Sequence, residues 1–207
     1  MVRRIALLLL LSCSLVVIGC GGVNHGGSGN PTPVPTGSAI PAADHVFVVV
    51  LENHSVLQVM GSSSMPFLNS LATQHSQATN YFANTHPSIG NYFMLTTGNI
   101  ETNDDSFPGT VSSDNIAQAV NGAGKTWKAY MESLPSVGYT GGDVYPYFKH
   151  HNPFAFMTYV LGPPSKTASL VPFSMLSADM AAGTLPSFAF IAPNAVDDAH
   201  DLSLIHI

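Results

Sequence analysis

An α/β fold with a mainly parallel central sheet flanked by helices follows from three observations. Residues 46–51 (VFVVVL) and 187–192 (SFAFIA) are near-continuous apolar runs, the pattern of strands covered on both faces. Between them, helical and extended signals alternate along the chain, as in sheets built from strand–helix–strand units. The 207 residues are 45% hydrophobic and only 9% charged, which suits a packed body and excludes a charged, disordered chain.

The body does not begin at residue 1. Arg3 and Arg4 precede an apolar stretch over residues 5–18, the layout of an export leader. The leader ends in Val17-Ile18-Gly19-Cys20, similar to the bacterial lipobox in which the Cys becomes the acylated first residue. A plain leader with an incidental Cys is the alternative. Residues 1–20 are therefore expected to be a lipoprotein signal, with Cys20 the lipidation site. Residues 21–43, rich in Gly, Pro and Ser, are expected to be a tether. Together they predict an exported protein, lipid-anchored to a membrane at the bacterial cell envelope. Residues 44–201 form the body. The last six residues, LSLIHI over 202–207, match one reading frame of a transposase adapter used in sequencing libraries. They are expected to be foreign to a natural chain that continues past Asp201, so the core is expected to be incomplete at its C-terminus.

Both cysteines, Cys13 and Cys20, fall in the leader, so the body has no thiolate metal site and no disulfide. Its only cations besides His are Lys125, Lys128, Lys149 and Lys166, against all 12 acidic residues. With no basic patch, nucleic acid is excluded as a partner.

Within the body, residues 46–51 predict the first strand. Residues 63–75 carry Phe67, Leu68, Leu71 and Ala72 at helical spacing. A short strand is expected over 78–82, then a helix over 88–97 stopped by Gly98 and N-capped by Ser88. Asp114 predicts the N-cap of a further helix closed by Gly122 and Gly124, followed by a strand over 126–131. Residues 173–182 predict a helix closed by Gly183, and 187–192 the last strand. Residues 133–165, weakly periodic and rich in Tyr, Gly, Pro and His, read as a long insertion near a site.

Ligands of parallel sheets bind beyond the carboxyl ends of the strands. Glu52 and Asn53 follow the first strand there, and both offer oxygen to a divalent cation. A polar loop start is the plain alternative. Ser88 opens a helix, where free N–H groups and the positive dipole end favour phosphate, and a Ser beside a metal can serve as nucleophile. Ser is equally an ordinary N-cap. Residues 190–201 (FIAPNAVDDAHD) repeat the first pattern, an apolar strand running into Asn194, Asp197, Asp198, His200 and Asp201.

LENHS, THPSIGNYFMLTTG, HHNPF and PNAVDDAHD together resemble the phosphoesterase family of bacterial acid phosphatases and phospholipase C enzymes, within the alkaline-phosphatase-like superfamily. The resemblance covers residues 44–201. It implies an alkaline-phosphatase-like core and metal-dependent hydrolysis of phosphate esters, with a divalent cation of unknown identity on Glu52, Asn53 and Ser88. It makes Ser88 the nucleophile and Asn91 the amide that holds a phosphoryl oxygen. His151, His200 and Asp198 match polar positions near the phosphate, and His86 adjoins the nucleophile. His151 or His200 is then the candidate to protonate the leaving group. Further acidic ligands of the family, and another His, come from a later segment, expected to lie beyond the suspected adapter junction. With no Arg in the body, metal, amides and imidazoles are left to hold the phosphate. Rival expectations are a phospholipase C or phosphodiesterase, and a non-catalytic ligand-binding surface lipoprotein.

Overall fold

A computed structural model describes residues 5–11 and 43–198; Cys20, the tether, His200 and the final hexapeptide lie outside the described residues. Its centre is a five-stranded sheet of order β1-β2-β5-β3-β4, made of β1 (Ile5–Leu11), β2 (His45–Leu51), β3 (Trp127–Met131), β4 (Leu170–Pro172) and β5 (Phe188–Ala192). Every pairing is parallel. The last strand, β5, lies in the middle, with Val48 beside Phe190 on one side and Ala129 beside Phe190 on the other. Residues 5–11, predicted to belong to an export leader, pair along β2 from Ile5 opposite His45 to Leu11 opposite Leu51. An open strand edge is a template for any extended apolar segment.

The unbroken apolar runs have the predicted cause. Val48 and Val50 of β2 and Phe190 of β5 pack on one face, with Tyr92, Ala117 and Phe154. Phe47, Tyr130, Val171 and Ile191 pack on the other, with Met175 and Leu176. Helices α3 (Ser88–Thr97) and α4 (Ile116–Gly122) thus cover the first face and α7 (Met175–Ala182) the second. A satellite cluster of Leu51, Val59, Met65 and Leu68 joins β2 to α1 (Val56–Val59) and α2 (Pro66–Gln74).

Several local expectations shift. Residues 78–82 form no strand, and Tyr81 and Phe82 lie half exposed. Asn115, not Asp114, caps α4, its side chain accepting from Gln118 N at 3.0 Å. Ser88 is the first helical residue rather than the cap, a position that Pro87 takes. Gly98 and Gly183 do end their helices in the left-handed conformation, at φ 78° and 67°. Residues 133–165 hold two 3₁₀ turns, Lys149–His151 and Pro153–Phe156, and the short helices α5 (Thr158–Leu161) and α6 (Pro164–Thr167). This stretch is no surface excursion, since Tyr147, His151, Phe154 and Phe156 are all buried.

Candidate active site

Three neighbouring strands, β2, β5 and β3, deliver polar residues to one edge. Glu52 leaves β2 with its N–H donating to the Asp198 carbonyl at 3.0 Å, and Glu132 leaves β3 with its N–H donating to the Ala192 carbonyl at 3.0 Å. The turn after β5 is pinned by Asn194. Its N–H donates to Glu132 Oε2 at 3.0 Å and its Nδ2 to Ser133 Oγ at 3.1 Å, while its Oδ1 accepts from Val196 N and Asp197 N. That pinning fixes Asp198, which is fully buried. Burial and the nearby Asp197 push the Glu132 carboxyl up, and the Asn194 N–H holds it down in part.

Helix α3 supplies Ser88. The Asp105 carboxylate accepts from the Ile89 N–H at 3.0 Å, capping from a loop 16 residues away. That loop lies hard against the first turn. A Cβ on Gly90 would come 2.4 Å from Asn103 Oδ1 and 2.5 Å from Thr85 Cγ2. Asn91 accepts from Asn84 N at 2.8 Å and Thr85 N at 3.2 Å, and donates Nδ2 to Thr85 O at 2.8 Å. Much of its amide therefore holds the approach to α3 in shape, although Asn91 also lines the cleft.

These elements converge on one chain of side chains. Ser88 Oγ donates to Glu52 Oε2 at 2.7 Å. Glu52 Oε1 pairs with His151 Nε2, and His151 Nδ1 stands 3.2 Å from Asp198 Oδ2. Burial alone would lower the His151 pKa, but the Asp198 and Glu52 carboxylates outweigh it and hold it up at about 9. The Tyr92 ring stacks on His151, centroids 4.9 Å apart and planes 13° from parallel. His150, beside it, is pushed down by burial and by the charge of His151.

Glu52, Ser88, His151 and Asp198, four of the expected site residues, thus lie together. Asn53, His86 and Asn91 join Glu52 and Ser88 around a cleft of about 240 Å³. His151 stands behind Glu52, only 2% exposed, and not on the cleft wall where a leaving-group acid is expected. Four contributors escape sequence reasoning. Glu132 follows its strand as Glu52 does, so the same pattern could have found it. His54 lies within LENHS, lines the cleft, and has both ring nitrogens buried without a hydrogen-bond partner. Asp105 and Tyr92 carry no local signal.

One ligand atom from each of Glu52, His151 and Asp198 lies within 4.8 Å of the others. Two carboxylates and an imidazole suit a borderline divalent cation. The predicted set of Glu52, Asn53 and Ser88 shares Glu52 with this trio. Asn53 is exposed on the cleft side and adopts φ 61°, a conformation Asn tolerates better than most residues.

Known proteins are similar to this chain along much of its length. A phosphatidylinositol-3-phosphatase of Mycobacterium tuberculosis is 32% identical over 98% of this chain and 64% of its own length. A probable acid phosphatase of Kluyveromyces lactis is 32% identical over 76% of the chain and 39% of its own length. An acid phosphatase of Aspergillus fumigatus is 30% identical over 79% and 38% respectively. The chain therefore spans between about two fifths and just under two thirds of these relatives. The pattern of the Phosphoesterase family matches residues 44–206, and with a polar edge of this make-up on a parallel sheet, the chain belongs to that family.

Proposed function

We propose that the protein hydrolyses phosphate esters, with Ser88 as nucleophile and a divalent cation held by Glu52. The observation that carries this is the 2.7 Å hydrogen bond from Ser88 Oγ to Glu52 Oε2, at the mouth of a cleft and on the leading turn of α3. Glu52 is positioned to take the Ser88 proton as Oγ attacks phosphorus. His151 and Asp198 keep the Glu52 carboxylate oriented from behind. Asn53, His54 and Asn91 line the volume a phosphoryl group would fill, and hydrogen bonds from such preorganised groups strengthen as charge develops. The ester P–O bond breaks as the phosphoseryl group forms, the Ser88 proton passing on through solvent to the leaving alkoxide, and water then attacks phosphorus to release phosphate and restore the Ser88 hydroxyl. Glu52, Asp198 and, once its proton is displaced, His151, with Asn53 and Ser88 adjoining, are the residues to hold the cation, which when bound would lower the Ser88 pKa and neutralise phosphoryl charge. The relatives' names, phosphatases all, favour a monoester over a diester substrate.

In the full-length protein, Ser88→Ala is expected to lower kcat by at least about a thousandfold. Retained turnover sinks the assignment. Calorimetric titration with Zn²⁺ and Mn²⁺ separates this enzyme from a binding-only lipoprotein, which has no need of a tight cation at Glu52. We further propose export and acylation at Cys20. Incorporation of labelled palmitate that survives Cys20→Ser refutes the anchor.

A further inference from the structure

Tyr92 lies four residues after Ser88, one turn along the same face of α3. It is 2% exposed, and its hydroxyl is buried with no hydrogen-bond partner. Buried hydroxyls are otherwise paired, because losing water without a substitute is costly. Tyr92 lines a small cavity of about 20 Å³ whose other polar lining residues are Glu52, Tyr81, Asn84 and Asn91. A water requires about 10–15 Å³ of such space and two to four polar partners. This cavity is large enough for one, and polar residues form part of its wall, whereas a purely apolar cavity stays dry. Tyr92 also meets the Ser88–Glu52–His151–Asp198 chain through its ring, stacked on His151.

We propose that this cavity binds one ordered water on the Tyr92 hydroxyl, and that Tyr92 with its water is a positioning element for the Glu52 carboxylate. The water donates toward the Glu52 side of the cavity while the phenol donates to the water. The ring and the hydroxyl then brace the chain at two points, under His151 and behind Glu52. The water site stands on the cavity alone; the positioning role rests on the catalytic assignment of Glu52 proposed above.

The test uses the full-length protein and its Tyr92→Phe variant, which keeps the ring stack. Crystallography is expected to show a water within hydrogen-bond reach of Tyr92 Oη, absent from the variant. A dry cavity, or Oη bonded directly to a protein acceptor, overturns the site. For the positioning role, Tyr92→Phe is expected to lower kcat about tenfold with KM changed less than about twofold, the low end for a group that orients a site residue. An unchanged kcat, or a loss wholly in KM, overturns that role. Tyr92→Leu, which also removes the stack, is expected to lower kcat further, and equal rates in the two variants count against bracing by the ring. Because the crystallographic readout needs no turnover, a failure of the Ser88 assignment remains distinguishable from a failure here.

Discussion

Asp198 shows how one residue can serve two neighbours. Its carbonyl receives the Glu52 N–H and its carboxylate faces His151, all without solvent. Removing one member of a buried, paired group leaves its partner uncompensated, at roughly 3 kcal/mol. Asp198→Ala is therefore expected to lose about that much stability in urea unfolding, together with most activity. Asp105 acts at a distance. Asp105→Ala leaves the Ile89 N–H without its acceptor and is expected to cost about 1 kcal/mol, whereas Asp105→Asn, whose amide oxygen still accepts, should cost less than half of that. Equal losses in the two variants would contradict the capping role. Residue-level legibility follows this division. Glu52 and Ser88 stand out because each follows or opens an element at a place where chemistry happens. Asp105 stays hidden because capping rules look a few residues along the chain, and this cap comes from 16 residues away.

Helix α3 carries the site, and its first turn is shaped by what lies against it. Exposed Gly→Ala changes inside helices usually stabilise by about 1 kcal/mol. At Gly90 the sign reverses. The added methyl would meet Asn103 Oδ1 and Thr85 Cγ2, side chains tied to each other through Thr85 Oγ1 at 2.9 Å, and would come 3.1 Å from the Thr102 backbone carbonyl. Gly90→Ala is expected to destabilise by roughly 1–3 kcal/mol, read as a lower melting temperature; a rise would show that the 102–105 loop yields freely. Strands β2, β3 and β5 are legible to within a residue or two, because burial on both faces writes itself as consecutive apolar residues. Strand β4 is three residues long, too short for any period to register. Residues 78–82 mislead for the opposite reason, since aromatic and small residues there suit a strand but pair with none of the described strands.

Sheet order is the part of the molecule that the sequence conceals, because which strands become neighbours is decided by packing between distant segments. The same non-local character governs how sheet and helix layers are held. Asp179 of α7 takes Lys128 Nζ at 2.6 Å and Tyr130 Oη at 2.6 Å, both from β3, and Thr184 Oγ1 at 3.1 Å. Burial alone would raise its carboxyl, but the hydrogen bonds from Lys128, Tyr130 and Thr184 outweigh that and hold it below the ordinary 3.8. A depressed acid contributes stability that is fully present above 3.8 and is lost as pH falls through the lower folded-state value. Asp179→Asn is thus expected to melt about 4 °C lower at neutral pH, with the gap closing below pH 3.8; a gap independent of pH would mean the charge contributes nothing. The central seat of β5 has a further consequence for biosynthesis. A ribosome releases residues 188–192 after the other four described strands, so β2 and the β3–β4 pair must wait unjoined until then, and the polar edge formed by β2, β5 and β3 closes only after β5 emerges.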